Sequence, residues 1–232
     1  MCGRYVGEVK VQGEEPKTKA VLCEQCMCTL PRTEQAEKRQ NETEMALVGK
    51  TSDFVATMKA MHLVRAATYL FFEKEQPVQD VIHKMKYADR PEIGFALGRQ
   101  AAMEMQYADF FEGVEVIVPV PLHPKRLQER GYNQSEYIAR GIADVIGVPV
   151  DTTHVTRVKN TPKQALMQAK DEGRKANVAD AFAVNHPEQL YHKHILVVDD
   201  LITTGETMKA CLQAMKRIRG AKFSVFALCK AR

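Results

Sequence analysis

Ile195-Leu-Val-Val-Asp199-Asp200-Leu-Ile-Thr203-Thr204-Gly205-Glu-Thr207 runs from an apolar segment into two adjacent carboxylates and on into a Thr/Gly loop. The continuous apolar run is the pattern of a parallel strand buried on both faces. Asp199 and Asp200 are expected to emerge at the carboxyl end of that strand, where open α/β sheets bind ligands. Two neighbouring carboxylates accept hydrogen bonds from vicinal hydroxyls, directly or through Mg²⁺. Thr203 to Thr207 then offers backbone N–H groups, hydroxyls and a helix N-terminus, all favourable for a phosphate. Gly205 permits a positive φ and close approach of the backbone to a ligand. A buried strand whose acids merely cap the following helix is the alternative. A Walker-type phosphate loop is weaker still, because no G-x-x-x-x-G-K-[ST] occurs in the chain.

The rest of the chain repeats the strand–helix alternation. Val64–Phe72 and Val114–Val120 are strand-like, and further strands are predicted near Val150–Val158, Ala181–Val184, His194–Val198 and Phe223–Leu228. Pro77 opens a helix with Val78, Val81, Ile82 and Met85 on one face, and Pro91 opens another running to about Gln106. Helices are also predicted at Ser135–Ile146, closed by Gly147, and at Glu206–Ile218. This order argues for a mostly parallel sheet flanked by helices. The 232 residues allow one α/β domain plus a small appendage, read as residues 1–50 and 51–232. Hydrophobic content of 45% suffices for a core, and a net charge of +4 suits anionic ligands without arguing for nucleic acid by itself. No apolar run approaches the roughly 18 residues of a membrane span and no signal-peptide core is present, so a cytoplasmic protein is expected.

A second constellation, Val118-Pro119-Val120-Pro121-Leu122-His123-Pro124-Lys125-Arg126, follows a strand and leads into Arg130-Gly131-Tyr132-Asn133-Gln134. Its prolines stiffen the chain where the strand stops, and Lys125, Arg126 and Arg130 place cations there, suited to a diphosphate. A stiff loop with solvated cations is the alternative for this stretch taken alone.

The 195–207 segment resembles the phosphoribosyl diphosphate (PRPP) signature of type I phosphoribosyltransferases. P-V-P-L-H-P-K-R-L-x-x-R-G-Y-N-Q, with Lys84-Met-Lys86-Tyr87, Pro91-Glu-Ile-Gly94, Arg157, Thr161-Pro-Lys-Gln164, Arg174-Lys-Ala-Asn177-Val178 and Ala181-Phe182, is similar to the ComF (ComFC) family. That family is the competence-associated branch of amidophosphoribosyltransferase-like proteins. The resemblance covers about residues 1–229. It implies a type I phosphoribosyltransferase fold with Asp199 and Asp200 on the ribose and Thr203, Thr204, Gly205, Glu206 and Thr207 on the 5′-phosphate. It also implies a diphosphate loop at 119–126, including Pro121, Leu122, His123, Lys125 and Arg126, and a mobile loop at 157–178 that brings Gln164 and Arg174 near the reaction centre. Mg²⁺ is expected with PRPP.

Cys211 and Cys229 sit in periodic patterns and read as small core residues. Cys23-x-x-Cys26 is half of a common zinc site. The resemblance implies a small N-terminal zinc-ribbon-like segment with a second C-x-x-C followed by Gly. Cys2-Gly3 matches the end of that motif, so its partner cysteine is expected just before Met1, within a longer natural chain. Zinc on Cys2, Cys23 and Cys26 stands beside an unmetallated segment as the alternative.

Three functions fit these residues. One is phosphoribosyl transfer from PRPP to an unknown acceptor with pyrophosphate release. A second, implied by the resemblance, is a PRPP-binding module that handles single-stranded DNA with competence-machinery proteins during natural transformation. Lys84, Lys86, Lys125, Arg126, Arg130 and Arg140 would then contact phosphates, and Tyr87, Phe95, Tyr132 and Tyr137 are candidate stackers. The third is a PRPP-sensing regulator without DNA binding.

Overall fold

In the computed structural model the described residues are 27–33, 63–74, 76–106, 109–159 and 181–231. Strands β1 (Leu63–Phe72), β2 (Val116–Pro119), β5 (His194–Ile202) and β6 (Lys222–Ala231) form an all-parallel sheet in the order β1-β6-β5-β2. Helices α1 (Pro77–Tyr87), α2 (Pro91–Met105), α4 (Gln134–Ile146) and α5 (Glu206–Met215) flank it. The mostly parallel α/β architecture expected from the sequence is therefore present. Proline occupies the first turn of α1 and α2, where its missing N–H costs nothing.

The central strands feed two cores, one on each face. Leu196 and Val198 of β5 pack with α1, α2 and α4, while Ile195 and Val197 pack with α5. Beyond the acid pair Leu201 packs against the first core and Ile202 lies in the second, so the strict alternation breaks across Asp199 and Asp200. Cys211 and Cys229 are fully buried in these cores, as their patterns predict. Helices α2 and α4 meet backbone to backbone. A Cβ at Gly98 would lie 2.2 Å from the Ile138 carbonyl oxygen, and one at Gly141 would lie 2.1 Å from that of Phe95. That contact fixes where the N-terminus of α4 arrives beneath the sheet end.

Three local readings change. The strand anticipated at Val150–Val158 shrinks to β3 (Val155–Arg157), which pairs antiparallel with β4 (Phe182–Val184) outside the main sheet. The Asp151 side chain causes the break: it accepts from the backbone N–H groups of Thr153 at 2.8 Å and His154 at 3.3 Å, a turn that competes with a ladder. The proline-rich turn contains a short helix, α3 (Pro124–Arg130), with Pro124 in its first turn, His123 as cap and Gly131 closing it at φ 82°. Strand β5 also runs past the acid pair to Ile202, because β6 continues alongside it, with Leu201 opposite Cys229 and Ile202 opposite Lys230. The carboxylates thus stand on the last turns of the pleat rather than after it. Residues 31–33, within the expected N-terminal segment, hydrogen-bond to β1: Thr33 N–H to Tyr69 C=O at 2.9 Å and Phe71 N–H to Pro31 C=O at 2.9 Å.

Candidate functional site

At the carboxyl ends of β2 and β5 lies a cavity of about 310 Å³. Ten residues named from the sequence line it: Asp199, Asp200, Thr203, Thr204, Gly205, Glu206, Thr207, Pro121, Leu122 and Arg126. Gly205 adopts φ 80° as the cap preceding α5, a left-handed conformation that glycine takes without strain. His123 and Lys125 do not line the cavity. His123 Nδ1 instead accepts the Lys125 backbone N–H at 3.2 Å and caps α3. Gln164, Arg174, Cys2, Cys23 and Cys26 lie outside the described residues, as does most of the 157–178 loop.

Side chains not singled out from the sequence as site residues complete the wall: Lys86, Gln134, Ser135 and Arg157, together with Arg130 from the second constellation. Asn133 starts α4, its side chain accepting from Ser135 N–H at 3.2 Å and donating to Val120 C=O at 3.0 Å. These two hydrogen bonds tie the start of α4 to the end of β2 and aim its first residues at the acids. Gln134 Nε2 donates to Asp200 Oδ2 at 2.9 Å, and Ser135 Oγ donates to Asp199 Oδ1 at 3.1 Å. Asp199 Oδ1 also accepts the Asp200 backbone N–H at 2.8 Å. Arg130 donates to Gln134 Oε1 and lies over the Tyr87 ring at 5.2 Å.

Lys86 is the largest departure from the sequence reading, which placed it among DNA-phosphate contacts. It is buried, and its Nζ is 2.6 Å from Asp200 Oδ2. The spacing carries only part of the signal: Val78, Ile82 and Lys86 recur every four residues on the inward stripe of α1, a position from which a lysine either pairs inside or snorkels to solvent. Phe95 and Tyr132 are buried as well, with the Tyr132 hydroxyl donating to Met85 C=O at 2.6 Å, so neither presents a ring for stacking. Tyr87 is exposed.

The two acids differ in charge. Burial and the adjacent Asp200 push the Asp199 carboxyl up to about 7. Burial opposes ionisation of Asp200 too, but the Lys86 ammonium and the Gln134 amide override it and hold that carboxyl below the usual range. Lys86 is raised in turn, since Asp200 outweighs its desolvation. Burial and nearby Arg126 lower the Arg157 guanidinium. Four cations therefore face three carboxylates, counting Glu206, around one cavity, an arrangement that attracts a polyanion bearing hydroxyls.

Parallel sheet, acid pair, Thr/Gly loop and cationic wall together define a phosphoribosyltransferase domain. The family model described as "Phosphoribosyl transferase domain" matches residues 133–232. The "DNA utilization protein YhgH" of Escherichia coli (strain K12) is 33% identical over 157 residues, 66% of this chain and 67% of that protein. The "Competence protein F" of Haemophilus influenzae is 30% identical over 161 residues, 67% of this chain and 69% of that protein. The chain belongs to the ComF family of phosphoribosyltransferase-like proteins. Among solved structures, HGPRT-ase from Leishmania tarentolae in complex with GMP aligns over 60% of this chain and 68% of that one, at 17% identity and a TM-score of 0.31, too low to bear on the fold. No described helix is long and apolar enough to cross a membrane. Among the described residues no cluster of His, Cys, Asp and Glu forms a metal cage.

Proposed function

We propose that the cavity binds PRPP and that the protein transfers its phosphoribosyl group to an acceptor, releasing pyrophosphate, in the cytoplasmic handling of DNA. The carrying observation is the order of groups around one cavity: a Thr/Gly loop at a helix N-terminus, two carboxylates beside it, and cations from α1, α3 and β3. The loop suits the 5′-phosphate, the acids suit the ribose hydroxyls, and the cations suit the diphosphate. Asp199 Oδ2 and Asp200 Oδ1 take no hydrogen bond among the described residues. A magnesium ion needs only one or two such carboxylates alongside substrate oxygens, so the donor set fits it. Asp199 and Asp200 would hold it, and it would neutralise charge on the departing diphosphate. The chain's own contribution is orientation and charge stabilisation as the ribose becomes cationic.

In this reading residues 51–232 carry the site, Gln164 and Arg174 close over it, and Cys2, Cys23 and Cys26 hold zinc in the preceding segment. Calorimetric titration of PRPP with Mg²⁺ into the wild type and into Asp199→Asn/Asp200→Asn tests it. Binding by the wild type and its loss in the variant is the expected result. A wild type that takes up no PRPP overturns the reading.

The names of the relatives favour a second reading, a PRPP-responsive module that binds single-stranded DNA or regulates its uptake without turnover. DNA affinity that falls steeply with salt, together with no pyrophosphate release in the presence of nucleobases or amines, selects this second reading.

A further inference from the structure

Lys86 reaches the cavity from α1, outside both sequence segments that announce the site. Its ammonium carries three N–H donors, and one is engaged by Asp200 Oδ2 at 2.6 Å. The other two have no partner among the described residues, and the side chain is only 9% exposed. A buried ammonium with spare donors is costly unless something else satisfies them. Lys86 lines the cavity beside Arg130 and Gln134, so a ligand seated there is placed to meet its ammonium. Asp200 Oδ1, on the same ion pair, is an acceptor without a hydrogen bond among the described residues. The pair thus presents a donor for an anionic oxygen beside an acceptor for a hydroxyl. In PRPP those two groups are adjacent: the carbon bearing the diphosphate neighbours a carbon bearing a hydroxyl.

We propose that Lys86 contacts the diphosphate of PRPP directly, while its partner Asp200 takes the neighbouring ribose hydroxyl. This rests on the PRPP reading of the cavity. Asp200 holds the lysine in place before the ligand arrives, so little side-chain freedom is lost on binding. Because the ammonium is part of the wall, the diphosphate meets a protein cation whether or not magnesium accompanies it.

The test separates contact with the diphosphate from mere support of Asp200. PRPP and ribose-5-phosphate, which lacks the diphosphate, are titrated calorimetrically into wild type and Lys86→Met, with magnesium and with chelator. If Lys86 touches the diphosphate, Lys86→Met weakens PRPP by about 10- to 100-fold more than it weakens ribose-5-phosphate, the range for a hydrogen bond to a charged group. The excess loss is larger in chelator, where no metal shares the charge. Equal loss of both ligands means that Lys86 only positions Asp200, and overturns the proposal.

Lys86→Met leaves Asp200 unpaired, so the comparison is repeated between Asp200→Asn and Lys86→Met/Asp200→Asn, where both buried charges are gone. Selective loss of PRPP in the double variant supports the contact, and parallel behaviour overturns it. A wild type that binds ribose-5-phosphate and PRPP alike removes the lysine contact alone. A wild type that binds neither removes the PRPP reading itself.

Discussion

Asp199 and Asp200 are identical residues side by side on one strand, yet the groups packed on either side of the sheet end give them opposite characters. Asp200 meets α1 and α4, where the Lys86 ammonium and the Gln134 amide converge on one oxygen. Asp199 has the Ser135 hydroxyl and one backbone N–H, with its largest cationic influence coming from the lysine on its neighbour. The thiol of Cys211 and the guanidinium of Arg157 lie on its side and feel its charge. One acid is held as an ion, while the other is poised near neutrality, pushed up to about 7 by burial and by its partner. For Asp200 the ammonium and amide brought by α1 and α4 outweigh burial, whereas for Asp199 burial and the neighbouring acid outweigh the Ser135 hydroxyl and the lysine.

The sharpest way to break this contrast is to remove Asp200. Asp200→Ala strands Lys86 in a buried position without its counter-charge, and breaking such a pair costs about 3–5 kcal/mol. Thermal denaturation at neutral pH should show that loss, and an unchanged midpoint would mean that the pair is solvated.

Removing the charge at Asp199 should act in the opposite direction. Its raised folded value means that the native state holds a proton which the unfolded chain has released. Native stability is therefore greatest below the ordinary carboxylate range, falls as pH rises toward about 7, and is flat above it. Asp199→Asn removes that penalty and should stabilise the protein at pH about 8 by an amount on the order of a few kcal/mol. The gain should shrink toward pH about 4, where the native wild type is already protonated. Denaturation midpoints for both proteins across this range check the sign. Loss of PRPP binding in the more stable variant would mark the acid as retained for function at the expense of stability.

The acid pair, the Thr/Gly loop and most strands were legible because each is local: an apolar run, a turn residue or a helix start within one short window. The parallel order followed from alternation of elements alone. What was not legible depends on contacts between distant windows. Gln134 binds an acid 66 residues away in the chain. Lys86 sits on an apolar stripe, where a lysine at a helix end more often snorkels to solvent than pairs inside. Strands β3 and β4 were anticipated, but the late start of β3 and their antiparallel pairing were not: Asp151 diverts the backbone into a turn inside a stretch whose composition reads as strand. Helix α3 was hidden by its own prolines, which read as a stiff turn until Pro124 is recognised as a helix start.

Ser135 offers the finest test of the contrast, because its hydroxyl serves Asp199 and leaves the Lys86–Asp200 pair untouched. A hydroxyl that donates to a carboxylate favours the ionised form, so Ser135→Ala should move the Asp199 carboxyl further up. The energetic cost, about 1 kcal/mol, belongs to the ionised state. It should therefore emerge only above pH about 7 and fade at pH about 5, where the acid holds its proton. Carbon-detected NMR titration of the two aspartates reads the shift directly: Asp199 should move upward while Asp200 stays low. If both carboxyls move together, the acids behave as one coupled unit and the separation imposed by α1 and α4 fails. If only Asp199 moves, each acid answers to its own neighbours, and one helix start tunes them independently through two consecutive side chains.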